Sequence, residues 1–293
     1  MPLTDCAPAK INLTLLIHGR RADGYHDLES LVMFADIADT LLLDDQAGLA
    51  LTVAGPTAQL IGSGDDNLVL RAVAALATRV DGLKTGAFFL DKHLPVAAGI
   101  GGGSADAAAA LRLLARLNDI AVDDLRLIET ARAIGADVPV CLASQPRIMR
   151  GAGERLGKAL TLPRLHAVLV NPGVPVETAA VFRALGLAPG ETRPSGHHFE
   201  LDSAIDAATL IALVAASRND LEPVAISVEP MVGEVLAALG ASEGCLLARM
   251  SGSGATCFGL FSDLPAVFAA VRALRRDHRD WWIQPATLGG LQG

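Results

Sequence analysis

The chain has 293 residues, 51% of them hydrophobic and 19% charged, with a formal net charge of −8. That balance supplies packed cores and excludes a largely disordered chain. With no basic run, it also argues against a nucleic-acid or membrane-surface partner.

In chain order, Ala9 to Ile17 predicts a strand, because Ile11, Leu13, Leu15 and Ile17 alternate with Lys10, Asn12 and Thr14. The alternation puts Lys10 and Asn12 on one non-core face. His18 to His26 reads as a turn, followed by strands at Leu28 to Phe34, Asp39 to Leu43 and Leu49 to Val53. Asn67 to Arg79 has helical spacing and Gly86 to Asp91 reads as a strand. Alanine-rich Ser104 to Leu117 and then Asp124 to Ile134 predict helices. Arg150 to Glu154 reads as a loop and a domain border. The second half alternates strand Ala167 to Asn171, helix Glu177 to Leu185, a looser stretch from Ala188 to His198, and helices at Ala207 to Ala216 and Met231 to Leu239. A strand–glycine run from Ala248 to Phe261, a helix from Pro265 to Arg276 and a strand near Trp281 complete it. The expectation is an α+β protein of two domains, 1–155 and 156–293.

No stretch approaches the ~18 apolar residues of a membrane span, and Met1 to Lys10 lacks the pattern of a secretory leader. Cys6, Cys141, Cys245 and Cys257 form no CxxC pair. A reduced, cytoplasmic protein is expected.

Pro95 to Ala109 carries the strongest chemical signal. A strand leads into consecutive glycines, Gly101, Gly102 and Gly103, and a long helix follows at once. Glycines let several N–H groups turn toward one anion, and the helix N-terminus adds the positive end of its dipole. Ser104 is a candidate cap for that helix, or a hydroxyl for a phosphate or its metal. A plain glycine turn needs fewer glycines. Dinucleotide and P-loop patterns do not fit: Ser104 stands where the first needs glycine, and Gly157-Lys158 continues with Ala159. Protein-kinase signatures are also missing. Ser251 to Thr256 is a second glycine loop, which a strand turn explains about as well as phosphate binding does. Asp137 follows Gly135 among apolar residues. A shielded carboxylate there needs a cation, although a helix-end aspartate bonding local backbone would account for it alone. Adjacent His197 and His198 do not converge on a metal ion.

Pro-Ala-Lys-Ile-Asn-Leu, Gly-Tyr-His, Pro-x-x-x-Gly-Ile-Gly-Gly-Gly-Ser, Gly-Ala-Asp-Val-Pro and Ser-Gly-Ser-Gly-Ala-Thr occur in that order. Together they resemble the GHMP kinase superfamily, from Ala7 to about Leu260. The resemblance implies an N-terminal ATP-binding domain with a mixed sheet and glycine-rich phosphate loop, and a C-terminal α/β sandwich-like domain. It implies phosphoryl transfer from ATP, with Mg²⁺, to the 2-hydroxyl of a cytidyl-diphosphate alcohol in non-mevalonate isoprenoid synthesis.

Carried onto this chain, the resemblance makes Lys10 and Asp137 the catalytic pair. Asp137 accepts or orients the hydroxyl proton, and Lys10 stabilises developing charge and fixes Asp137. It places ATP against Asn67, Lys92, Pro95, Ala97, Gly99, Gly101, Gly102, Gly103, Ser104 and Ala105, with Ser104 the candidate Mg²⁺ contact. It places the substrate against Asn12, Tyr25, His26, Thr178, Phe182, Gly252 and Gly254, with cytosine stacked by Tyr25 and Phe182 and bonded by His26. Alone, Tyr25-His26 reads as a surface turn and Phe182 as a core helix residue. Val32 stands near a family aromatic position, which leaves two alternatives: a less enclosed cytosine pocket, or compensation by Phe34. Asp106 reads as a dipole partner of its helix, and Asn219 to Glu222 as structural. The resemblance also implies a monomer or weak homodimer. A sibling kinase for mevalonate, homoserine or a sugar is the second reading, and a catalytically silent nucleotide- or sugar-binding sensor the third. Gly24-Tyr25-His26 favours the cytidyl substrate, and the presence of both Lys10 and Asp137 argues against the sensor.

Overall fold

The structure, a computed structural model, describes residues 2–61, 64, 66–194 and 205–289. In chain order its main elements are β1 (Leu3–Asn12), β2 (Leu16–Arg20), β3 (His26–Asp44), β4 (Ala50–Ala54), α1 (Leu68–Ala77), β5 (Ala87–Asp91), α2 (Gly102–Leu117), α3 (Leu125–Ile134), α4 (Val138–Ala143), β6 (Arg147–Gly151) and β7 (Arg155–Leu156). They continue with β8 (Leu165–Asn171), α5 (Thr178–Ala184), α6 (Ala207–Ala215), α7 (Glu222–Val228), α8 (Met231–Gly240), β9 (Cys245–Met250), β10 (Cys257–Phe261), α9 (Leu264–Asp277) and β11 (Trp282–Leu288). His197 and His198, with the end of the stretch expected to be loose, lie outside the described residues.

Contacts divide the chain into two compact units. One comprises Met1–Ala9, Ile37–Val96 and Gly101–Ser144; the other Lys10–Asp36, Ala97–Ile100 and Gln145–Gly293. The border expected at residue 155 does not coincide with this division: it falls within β7, and of the expected loop Arg150 to Glu154 the first two residues belong to β6 while Ala152 to Glu154 turn the chain into β7. Each unit is discontinuous in sequence, because the division falls within β1 and within β3.

The two strands expected at Leu28 to Phe34 and Asp39 to Leu43 are one strand of 19 residues. Between them Ala35-Asp-Ile-Ala38 contains no glycine or proline to end a strand. The burial pattern changes there instead, from continuous between Glu29 and Ala35 to alternating from Asp39 onward.

In the first unit, Thr40–Asp44 of β3 pairs antiparallel with β5, and β5 pairs parallel with β4. Helix α2 packs against α1, α3 and α4. Its buried surface is largely alanine, which brings those helices close.

In the second unit, β9, β10, β8 and β11 form an antiparallel run, and β11 reaches Ala35 of β3 through Leu288. β2 and β6 pair with β3. α8 packs on β9 and β10, and α9 on β8 and β11. The central strand β8 is buried along almost its whole length, as its Ala-Val-Leu-Val sequence dictates.

The expected strand Ala9 to Ile17 is broken. β1 ends at Asn12 and β2 begins at Leu16, while the Leu13 and Leu15 amides bond the carbonyls of Leu31 and Arg218. Every residue from Ala7 to Ile17 is buried, so Lys10 and Asn12 do not lie on a solvent face. Burial on both sides defeats the alternation argument here.

Candidate active site

In the first unit, α2 starts at Gly102, two residues before the expected start. Its cap is Gly101, with φ +65°, and not Ser104. No side chain caps the helix, and the Ala105 amide bonds the Gly101 carbonyl at 2.8 Å. The amides of Gly102, Gly103 and Ser104 therefore precede the helix's own hydrogen-bond ladder and are set for an external acceptor. The glycines divide the work. Gly99 (φ +73°) and Gly101 bend the chain. Gly102 and Gly103 lie in the first helical turn, where their small size leaves the amides approachable.

Asn67 caps α1, its side chain accepting from the Val69 amide at 2.9 Å. Asp137 stands at the start of α4, a short helix that sequence patterning missed, and its side chain does not cap that helix. Pro95 follows Leu94, whose carbonyl accepts from Thr57 Oγ1 at 2.9 Å. Lys92 is 1% exposed and its ammonium is held by Asp39 and Asp106. Its side chain is thus engaged inside the unit. Asp106 is correspondingly an ion-pair partner and more than a dipole neighbour.

In the second unit, the two glycine loops meet. The Ala97–Ile100 stretch is held by Lys10 N–H donating to the Ile100 carbonyl at 2.9 Å and Thr256 N–H donating to the Ala98 carbonyl at 3.1 Å. Ser251 Oγ donates to the Gly99 carbonyl at 3.0 Å and accepts from the Asn12 amide at 3.0 Å. A Cβ on Gly252 would come within 2.8 Å of the Gly99 carbonyl oxygen, and one on Gly254 within 2.7 Å of Met250 Sδ. The second loop is therefore a clamp behind the first. Asn219 supports the clamp by donating to the carbonyls of Met250 (2.9 Å) and Gly252 (2.8 Å), which bears out its structural reading.

The same unit gathers the residues expected around a base. The rings of His26 and Phe182 lie 4.7 Å apart at 35°. His26 Nε2 is buried without a hydrogen-bond partner. Burial holds the imidazole below its ordinary pKa, and the charges of Arg20 and Arg193 add to the effect. A neutral ring at physiological pH presents one donor and one acceptor. Tyr25 is 63% exposed in the turn before it. Thr178 Oγ1 lies 2.8 Å from Ser253 Oγ. Asn12 donates to Ser30 Oγ at 2.7 Å and keeps its Oδ1 buried and unpartnered. Val32 and Phe34 are fully buried in β3, so Phe34 offers no exposed face to a ligand.

Sequence reasoning missed the side-chain roles of Asp39, Arg20 and Arg193. A lone aspartate opening the apolar run Asp39 to Leu43 was the one available signal.

The family model for the GHMP kinases N terminal domain matches residues 67–145, and that for GHMP kinases C terminal matches residues 202–280, on either side of residue 155. A 4-diphosphocytidyl-2-C-methyl-D-erythritol kinase of Methylobacterium radiotolerans is 59% identical over 287 residues, covering 98% of this chain and 99% of the relative. One from Rhodopseudomonas palustris is 57% identical over 293 residues, covering 98% of each. A solved 4-(cytidine 5'-diphospho)-2C-methyl-D-erythritol kinase superposes with a TM-score of 0.77 at 34% identity, covering 99% of this chain and 100% of that one. Homoserine kinase from Cytophaga hutchinsonii shares the fold, with a TM-score of 0.68 at 19% identity over 99% of this chain and 95% of that one. With both halves matched and relatives this similar along its whole length, the chain belongs to the GHMP kinases.

Proposed function

We propose that this chain transfers the terminal phosphoryl group of ATP to the 2-hydroxyl of 4-diphosphocytidyl-2-C-methyl-D-erythritol, a step of non-mevalonate isoprenoid synthesis. The observation that carries the substrate assignment is the His26–Phe182 pair with its unpartnered Nε2. A buried polar atom without a partner asks for a ligand that supplies one. A neutral imidazole beside an aromatic face suits the edge and face of a pyrimidine, and the exposed Tyr25 ring supplies a second stacking surface.

The uncapped start of α2 and the bend at Gly99 and Gly101 fit a polyphosphate. Pro95, Ala97 and Ala105 are assigned to the nucleotide because they flank those amides in the chain. ATP supplies the phosphoryl group when bound. Mg²⁺ binds through few protein ligands and the phosphates themselves, so Ser104, in the first turn of α2, suffices as its protein contact. Asp137 accepts the proton of the substrate hydroxyl, and Lys10 stabilises charge on the transferring group. Asn12, Thr178, Gly252 and Gly254 line the substrate side.

Among the described residues no helix is long and apolar enough to cross a membrane, and the cysteines are unpaired. A reduced, cytoplasmic setting suits both.

Tyr25→Ala is expected to raise KM for the cytidyl substrate by roughly 10-fold or more, the loss of about one base–aromatic stack. KM for ATP should move less than two-fold. Steady-state kinetics with each substrate varied in turn decides the matter. A rise confined to ATP would reverse the assignment of the two sides.

A further inference from the structure

In the second unit, the turn at residues 218–222 bonds to two stretches that are far apart in sequence. On one side it meets the chain that follows Asn12. The Leu15 amide donates to the Arg218 carbonyl at 2.9 Å, the Asp220 amide donates to the Leu15 carbonyl at 2.8 Å, and Asp220 Oδ2 accepts from the Ile17 amide at 2.7 Å. On the other side it meets β9 where that strand runs into the second glycine loop. Glu222 Oε2 accepts from the Met250 amide at 2.7 Å, and Asn219 Nδ2 donates to the carbonyls of Met250 and Gly252. Among the described residues no strand pairs with this edge of β9, so the two side chains stand in for one at Met250. The turn is itself braced: Asn219 Oδ1 accepts from the Leu221 amide at 2.9 Å.

Arg249 joins the same pieces from the other direction. Its buried guanidinium donates to the carbonyls of Leu13 at 3.1 Å, Val214 at 2.7 Å and Ser217 at 2.9 Å. It thus ties the residue after Asn12 to the end of α6 and to the residue before the turn. Burial disfavours its charge, and the Glu222 carboxylate offsets part of that cost. A buried arginine shared among these segments fixes their spacing, because separating them leaves buried polar groups unpaired.

Asn12 stands between the two sides. Its amide donates to Ser251 Oγ at 3.0 Å, and its side-chain Oδ1 is buried without a hydrogen-bond partner. A Cβ on Gly252 would come within 3.3 Å of that Oδ1, so the unpartnered acceptor lies against the loop residue that Asn219 holds.

We propose that Asn219, Glu222 and Arg249 form a positioning bracket that sets the Asn12 carboxamide against Gly252 and, through Asn12, orients the substrate hydroxyl. The inference rests on the kinase reading given above. None of the three touches substrate or nucleotide. A displacement of about 1 Å at reacting atoms costs up to ~100-fold in rate, so a loosened bracket slows transfer. The cytosine end is bound by other residues, His26, Phe182 and Tyr25, so affinity for the substrate is largely kept.

The test uses the full chain carrying Asn219→Ala or Arg249→Lys, each alone and combined with Asn12→Ala. Lysine keeps a charge beside Glu222 but lacks the planar fork that serves several carbonyls at once. Each single variant should lower kcat about 10- to 100-fold. Titration with 4-diphosphocytidyl-2-C-methyl-D-erythritol in the absence of ATP should give a Kd within about three-fold of wild type. In the Asn12→Ala background the same changes should lower kcat less than about three-fold, because the group they position is gone. A turn that merely stabilises the fold lowers kcat by one factor in both backgrounds. That result overturns the inference and leaves the kinase reading standing, as does near-normal kcat in the single variants or in Asn12→Ala, or a rise confined to KM for ATP. Absence of phosphoryl transfer by the wild type overturns both. If Asn219→Ala does not fold, the Arg249→Lys arm decides by the same outcomes, and the reverse holds.

Discussion

Asp137→Ala is expected to lower kcat by about 10²- to 10⁴-fold, the range that a positioned general base contributes. The ATP dissociation constant should change less than two-fold. Two features keep this effect on the chemistry. The Asp137 side chain does not cap α4, so its removal does not strip that helix of an N-terminal partner. The residue is also only half-buried, so truncation leaves no large cavity. Asp137→Asn is the companion variant, with the same size and no ability to accept the proton as a base. It should be nearly as slow. Turnover by ADP release and binding by titration separate the two terms. Near-normal turnover in either variant would remove Asp137 from the mechanism.

Gly99→Ala is expected to damage both the fold and nucleotide use. At φ +73° an alanine costs ~1–2 kcal/mol in backbone strain alone. Its Cβ would also lie 2.4 Å from the Ser251 carbonyl oxygen and 2.8 Å from the Gly254 backbone, a clash adding ~1–3 kcal/mol. Neither neighbour is the end of a flexible side chain, so relief requires moving one glycine loop away from the other. The expected result is a loss of roughly 3 kcal/mol in a denaturant titration, with KM for ATP raised where the chain still folds. Gly48→Ala is the control, since its Cβ would meet nothing within 4 Å and it lies outside both glycine loops. A Gly99→Ala chain of normal stability and KM would show that the loops do not depend on their contact.

Much of this was legible in the sequence because it was local. The glycine run, the alanine-rich helix behind it and the strand–glycine–strand pattern at Ser251 each announce themselves within a few residues. Short helices were harder. α4 (Val-Pro-Val-Cys-Leu-Ala) and α7 (Glu-Pro-Val-Ala-Ile-Ser-Val) are rich in β-branched residues and contain proline. Their prolines stand in the first turn, where the missing N–H costs nothing. The side-chain role of Lys92 was out of reach, because its partners lie 53 and 14 residues away and only the folded core brings them together. The same holds for the clamp of Ser251 on Gly99, a contact across 152 residues. Lys10 and Asn12 defeated the strand alternation because both faces of β1 are covered at that point.

The substrate-side residues show the limit from another direction. Composition marks Tyr25 only as the single tyrosine of the chain. The pairing of His26 with Phe182, and the unpartnered Nε2 it leaves, required α5 to be placed against the end of β3.

The central claim is tested most directly by offering the purified chain ATP and Mg²⁺ with 4-diphosphocytidyl-2-C-methyl-D-erythritol, mevalonate or homoserine, and following the products by phosphorus NMR. A new phosphomonoester on the 2-hydroxyl of the cytidyl substrate, with neither of the other alcohols phosphorylated, is the predicted result. Phosphorylation of mevalonate or homoserine with the cytidyl substrate untouched would contradict it.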